Sequence, residues 1–254
     1  MLSVKRYEMI LALLEQNQVV KVSELSKELG VTEKTIRIDL EALEKNGLLK
    51  RIHGGAVLAD KGTRIVPIEE RQSGKAIIKE AIAQKAKAKI QPYQTVLLDG
   101  GSTTEALAHL MGDIPLTVIT NDIKIAYTLL EKEKIQLMVL GGTRIGKSPS
   151  LIGAEATAML QKIRVNHVFF GTTGISMEHG LTVLNHLHAD WKKQIIQIAD
   201  EVTLLTDATK FEKVGLIQFA SLTEIDEIIT DHSIEEKMVQ LLKQQEIALT
   251  IVSV

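Results

Sequence analysis

From residue 95 onward, short apolar runs alternate with helical patterns, and this alternation restricts the possible folds more than any other feature of the chain. Thr95-Val96-Leu97-Leu98-Asp99, Leu116-Thr117-Val118-Ile119-Thr120 and residues 135–140, 165–171, 202–207, 227–230 and 247–254 read as strands. Helical patterns cover 68–90, open at Ser102 to Thr104, after Asp122 and near Gly153, and return at 189–199 and 234–244. Apolar strands separated by helices predict an α/β domain whose largely parallel sheet is covered on both faces. Phe169-Phe170 lies inside such a run and is expected in the core, not on a stacking surface.

Sheets of this kind bind ligands beyond the C-terminal ends of their strands. Five successive ends are polar or glycine-rich here. They are Asp99-Gly100-Gly101-Ser102-Thr103-Thr104, Thr120-Asn121-Asp122, Gly141-Gly142-Thr143-Arg144, Gly171-Thr172-Thr173-Gly174 and Asp207-Ala208-Thr209-Lys210. The first leads into a helix. Its glycines allow close backbone approach, and free N–H groups, the helix dipole and three hydroxyls form an anion site. With Arg144 and Lys210 added, the five ends predict a pocket for a phosphorylated polyol.

The first sixty residues follow a different plan. Val4, Tyr7, Leu11 and Leu14 recur at helical spacing over 3–15. A short β-prone link, 19–22, precedes Ser23, a candidate N-cap for a helix ended by Gly30. Thr32 is a second N-cap, for a helix running to about Lys45. Helix, tight turn, helix is the layout in which the second helix enters the major groove. Ile36, Leu40 and Leu43 fall on one stripe and should face the core. Lys34, Arg37, Ile38, Glu41 and Lys45 fall opposite, with Thr32, Lys34, Thr35 and Arg37 near the end that meets DNA. Residues 48–52, His53-Gly54-Gly55-Ala56 and 57–59 then read as a β-hairpin, placed where a wing would be. Lys50, Arg51 and His53 would lie near phosphates.

The run Val31-Thr32-Glu33-Lys34-Thr35-Ile36-Arg37-Ile38-Asp39-Leu40, with Leu43-Glu44, Gly47 and Arg51-Ile52-His53-Gly54-Gly55-Ala56, resembles the N-terminal signature of the DeoR family of bacterial sugar-metabolism regulators. Asp99 to Thr104, Thr120-Asn121, Gly141-Gly142, Phe170-Gly171, Gly174-Ile175, Gly180-Leu181-Thr182 and Asp207 to Lys210 resemble that family's sensor domain, so the likeness covers essentially the whole chain. It implies a winged helix-turn-helix at 1–59, a linker at 60–74 and a sugar-phosphate sensor at 75–254. It also implies a sensor similar in fold to ribose-phosphate isomerases and coenzyme A transferases. In that likeness Gly101 to Thr104 hold the phosphate, while Asp99, Asn121 and Lys210 meet sugar hydroxyls or phosphate. The family usually carries two arginines before Asp39-Leu40, and here the second is Ile38. Isoleucine cannot bond phosphate or guanine but can pack on a thymine methyl, which implies a changed base preference or weaker binding.

Composition narrows the function classes. There is no cysteine, so structural disulfides and thiolate metal sites are excluded. No signal-peptide pattern or apolar run of membrane-spanning length is present, which predicts a soluble cytoplasmic protein. Net charge is −2, so DNA binding must come from pattern; residues 1–56 hold nine basic and eight acidic residues, the rest 21 and 24. Aromatics make up only 3%, which disfavours single-strand binding by base stacking.

Two rivals remain, an isomerase fused to a DNA-binding module, and an activator or a regulator that senses an unphosphorylated ligand. Isomerisation through an enediol needs a carboxylate base beside a polarised carbonyl. The related isomerases keep an acidic cluster after the strand that matches 165–171, where this chain has Thr172-Thr173, and Lys210 alone is a poor base. An isomerase fused to a DNA-binding module is therefore disfavoured, and no catalytic residue, cofactor or metal is expected. His179, His186 and His188 lie close together, but no spacing pattern marks a zinc site. Lys192 or Lys193, in Trp191-Lys192-Lys193, could reach an effector or line a solvated helix face. An activator would use the same parts as a repressor. Paired half-sites imply a homodimer or homotetramer on operator DNA.

Overall fold

The computed structural model describes residues 2–58, 76–144 and 148–253. The linker expected at 60–74 and the first part of the helical pattern at 68–90 lie outside them. The described residues form two compact units, one holding 2–58 with 214–216 and the other 76–213 and 217–253.

The smaller unit contains α1 (Ser3–Asn17), β1 (Val19–Lys21), α2 (Val22–Leu29), α3 (Glu33–Lys45), β2 (Leu49–Ile52) and β3 (Gly55–Leu58). Its core joins Ile10, Leu11 and Leu14 of α1 to Val22, Leu25 and Leu29 of α2 and to Ile36, Leu40 and Leu43 of α3. The apolar face of α1 therefore centres on Ile10, Leu11 and Leu14, and Val4 is 47% exposed. Ser23 does not cap α2. The helix starts at Val22, two residues earlier than such a cap would place it, because the Val22 N–H donates to Gly54 O at 2.8 Å and a tertiary bond replaces the cap. Gly30, in the left-handed region at φ 64°, ends it.

The hairpin closes through His53-Gly54, with Ile52 paired to Gly55, and β3 also pairs with β1. Gly55 belongs to the strand and not to the turn. A Cβ there would sit 2.1 Å from Val20 O, so only glycine allows the three-stranded sheet to close.

The larger unit holds α4 (Ala76–Lys87), β4 (Thr95–Leu98), α5 (Ser102–Leu110), β5 (Leu116–Thr120), α6 (Ile123–Leu129), β6 (Ile135–Val139), β7 (Thr143–Arg144), β8 (Leu151–Ile152), α7 (Ala154–Leu160), β9 (Val165–Phe170), β10 (Gly174–Ser176), β11 (Gly180–Val183), α8 (His186–Gln197), β12 (Ala199–Leu205), β13 (Ile217–Ala220), β14 (Glu227–Asp231), α9 (Glu236–Gln244) and β15 (Ala248–Val252). Seven strands form the expected parallel sheet, in the order β15-β14-β12-β9-β4-β5-β6. Alternation explains why the strands read as unbroken apolar runs. Leu97 and Phe170 pack into one core with Trp191 and Ile195 of α8, while Val96, Leu98 and Phe169 pack into the other with Ile82 of α4 and Leu107 of α5.

Two features were not foreseen. β10, β11 and β13 form a second, antiparallel sheet, and β7 pairs with β8. More useful for function is where the order turns. After β4 the chain proceeds to β5 and β6 on one side, then returns to β9 on the other. The gap between the ends of β4 and β9 is therefore the sheet's switch point, where a crevice forms because successive connections leave in opposite directions.

Candidate functional site

In the smaller unit, α3 presents the residues expected to meet DNA. Thr32 caps the helix by accepting from Thr35 N–H at 3.2 Å, and the two hydroxyls lie 2.9 Å apart. Lys34 and Arg37 are exposed, and Ile38 is 56% exposed, so an apolar side chain projects from the outward face as predicted. Arg37 is held by Glu33 at 2.6 Å. Lys50, Arg51 and His53 are exposed on the hairpin. Arg51 is fastened to α3, where its backbone N–H and its Nε each donate to Glu44 at 2.7 Å. Those bonds, the backbone one first, hold the Glu44 carboxyl below its ordinary range. Wing and recognition helix are thus one cross-braced surface.

Asp39, known from sequence only as a letter of the motif, proves structural. It is buried, and Arg6 of α1 donates to both its oxygens, from Nε at 2.7 Å and from Nη2 at 2.9 Å. This pair ties α1 to α3.

In the larger unit, the site forms at the switch point. Asp99, at the end of β4, is buried. Its Oδ1 accepts from Trp191 Nε1 at 2.8 Å and its Oδ2 from the Lys192 ammonium, which also donates to Gly171 O at 2.8 Å. Lys192 therefore bridges the ends of β4 and β9 across the crevice. Its Nζ also lies 5.7 Å from the Phe170 ring centroid and 5.9 Å from that of Phe219. Next to Asp99, α5 starts with Ser102 and Thr103 partly exposed. Anions are favoured there by the unbonded N–H groups of the first turn.

Gly100 is fixed by its surroundings. A Cβ would lie 2.1 Å from Ser150 Oγ and 2.7 Å from Asp122 Oδ2. Both neighbours are buried, so Gly100→Ala should destabilise the larger unit by about 1–3 kcal/mol through overpacking. Urea unfolding followed by the fluorescence of Trp191, the single tryptophan, measures it.

The other expected residues divide into two groups. Asn121 is fully buried; its Nδ2 donates to Leu151 O at 3.1 Å, and its Oδ1 has no partner among the described residues. Such an acceptor requires an explanation, and a ligand hydroxyl provides one. Thr104 and Thr120 are engaged with the backbone instead. The Thr104 hydroxyl donates to Gly101 O at 2.8 Å, and that of Thr120 donates to Leu98 O at 2.7 Å while accepting from Asp122 N–H. Gly142, at φ 147°, brings the chain against the Ile152 backbone, and Gly141 is exposed. Arg144 is exposed on β7. Lys210 is half-buried, in a short turn after β12 that Asp207 caps.

Asp122 caps α6 by accepting from the N–H groups of Lys124 and Ile125, and burial pushes its carboxyl up. Of the three histidines, His179 and His186 are exposed and His188 is half-buried. Among the described residues no group of three His, Asp or Glu side chains is placed to hold a metal ion.

Sequence reading left Lys192 open between two roles, weighed His188 only as a metal ligand and did not connect Trp191 to Asp99. A signal for Lys192 existed. On α8 it lies on the same stripe as Ala189, Ile195 and Ile196, all buried, and a charge in an apolar stripe needs a partner.

Comparison with known proteins agrees with both halves. Residues 6–62 match the DeoR-like helix-turn-helix domain and residues 75–232 the DeoR C-terminal sensor domain. The chain is 33% identical to an L-fucose operon activator of Haemophilus influenzae, over 95% of this chain and 97% of that protein. It is 32% identical to a putative aga operon transcriptional repressor of Escherichia coli O157:H7, over 98% and 93%. A ribose 5-phosphate isomerase A from Methanocaldococcus jannaschii overlays on 53% of this chain and 54% of its own, with a TM-score of 0.38 and 17% identity, a distant likeness of fold alone. The chain belongs to the DeoR family of DNA-binding transcriptional regulators.

Proposed function

We propose that this regulator represses a carbohydrate-metabolism operon and leaves its operator when the larger unit binds a phosphorylated sugar or polyol. The observation that carries the reading is the Lys192 ammonium set across the switch point, beside the first turn of α5 and the unpartnered Asn121 Oδ1. Cation and helix terminus suit a phosphate, and the amide oxygen suits a hydroxyl. In this reading Gly101, Ser102 and Thr103 hold the phosphate, Arg144 and Lys210 complete the rim, and Thr104 and Thr120 shape the floor.

The cleft binds and does not catalyse. The Thr172 hydroxyl is bonded to Gly174 O and Thr182 O, and both Asp99 oxygens accept from buried donors. Neither is a free base for proton abstraction. No described helix is long and apolar enough to cross a membrane, in keeping with a cytoplasmic regulator. Two or four copies would set paired winged modules on operator half-sites.

The test is a mobility shift on DNA upstream of the protein's own gene, titrated with glycerol 3-phosphate, ribose 5-phosphate, fructose 1-phosphate and their dephosphorylated forms. At least one phosphate should release the DNA while its dephosphorylated form does not. Retention whatever is added overturns the effector assignment. Running Ile38→Arg in parallel reads the base preference. The H. influenzae relative favours a second reading, an activator, and a reporter that falls on deletion of the gene would establish it.

A further inference from the structure

One polar side chain beside the cleft is left over by this account. His188 is the third residue of α8, and Asn185, which accepts from Leu187 N–H at 2.9 Å, fixes that first turn. Lys192 lies four residues on, so the two side chains share one face of the helix. The imidazole is close enough to both Lys192 and Asp99 to feel their charges. Yet the ring is half-buried, and among the described residues it makes no hydrogen bond.

The surroundings decide its chemical state. Burial first, and then the Lys192 charge, hold the imidazole down to about 4, against the opposing pull of Asp99. It is therefore neutral at pH 7, with one ring N–H that donates and one ring nitrogen that accepts. A phosphate oxygen only accepts, so it is matched better by the N–H groups of α5 and the Lys192 ammonium. A hydroxyl both donates and accepts, as a neutral imidazole does. The Asn121 Oδ1 adds a second acceptor that calls for an O–H.

We propose that His188 is a specificity-determining residue of this cleft, which reads a hydroxyl of the effector and not its phosphate. The ligand class that follows is a phosphate monoester of a polyol with at least one free hydroxyl beyond the phosphorylated carbon. This inference rests on the effector reading above.

The experiment uses the full chain in three forms, wild type, His188→Leu and His188→Gln. Each is titrated calorimetrically with inorganic phosphate and with the three sugar and polyol phosphates of the operator test. Inorganic phosphate contacts only the anion end of the cleft. His188→Leu should bind it within about 2-fold of wild type, yet bind the preferred phosphate ester about 10-fold more weakly, as loss of one hydrogen bond predicts. His188→Gln keeps a donor and an acceptor and should recover most of that loss. Unchanged ester affinity in His188→Leu overturns the proposal. So does an equal fall for ester and inorganic phosphate, which would make His188 part of the anion site or of the framework. A wild-type chain that binds none of the esters overturns the effector reading itself, and this inference with it.

Discussion

Asp99→Leu should destabilise the larger unit by about 3–5 kcal/mol, the usual cost of leaving one charge of a buried pair without its partner. Both side chains are almost fully enclosed, with side-chain exposures of 3% for Asp99 and 8% for Lys192. With the carboxylate gone, Gly171 O is the only remaining acceptor of the ammonium among the described residues. The variant also leaves Trp191 Nε1 without its acceptor, so its emission should shift along with the midpoint of urea unfolding. Lys192→Met alone should cost a similar amount, because it exposes the opposite charge. The double variant, Asp99→Leu with Lys192→Met, removes both charges and should regain at least half of the lost stability, since paired apolar replacement of a buried ion pair is close to neutral. Effector response should not return with it, because the phosphate loses its cation. A cost below about 1 kcal/mol for Asp99→Leu would mean that solvent screens the pair, and its reading as an enclosed ion pair would fail.

What was legible in advance follows from how each element meets its surroundings. Strands such as Thr95–Leu98 were readable because helices cover both faces, so three successive positions, Val96 to Leu98, are apolar and buried and no alternating pattern competes. The face of α3 was readable because Ile36, Leu40 and Leu43 recur at helical spacing and the opposite side stays in solvent. Misses arose where a distant backbone group supplies what local sequence normally does. The start of α2 is fixed by a carbonyl at Gly54, more than thirty residues away, and not by Ser23. The sheet of β10, β11 and β13 escaped notice because its strands are three or four residues long and β13 joins from the far side of α8 and β12.

The candidate site shows the same division. Glycine-rich strand ends announced themselves, since a sharp turn into a helix leaves few choices of residue. Roles within those ends did not, because Thr104 and Asn121 are equally polar on paper. Only the fold shows that one hydroxyl is bonded to Gly101 O while one amide oxygen has nothing to accept from among the described residues. Lys192 lies 93 positions from Asp99, and nothing local connects them.

Asp39→Leu should weaken operator binding without touching any group that faces DNA. Arg6 donates to both Asp39 oxygens with side-chain exposures of 11% and 3%, so the variant strands a guanidinium at the junction of α1 and α3. The expected cost is again about 3–5 kcal/mol. A unit of about 60 residues has roughly 3–9 kcal/mol of stability in total, so the same loss weighs far more here than in the larger unit. Where the loss exceeds the unit's own stability, most molecules carry an unfolded DNA-binding unit beside an intact sensor. Three readouts separate this from loss of a contact. Operator affinity should fall as the folded fraction falls, by about 2-fold where the loss equals the unit's stability and by about 30-fold where it exceeds that stability by about 2 kcal/mol. Limited proteolysis should cut within residues 2–58, while the Trp191 unfolding curve and effector binding stay as in wild type. Arg6→Met combined with Asp39→Leu should restore both protease resistance and operator binding, which no base-reading or phosphate-contacting role of Asp39 would allow. Weak DNA binding that persists in a protease-resistant double variant would instead place Arg6 or Asp39 at the DNA, and the division of α3 into a core face and a reading face would have to be redrawn.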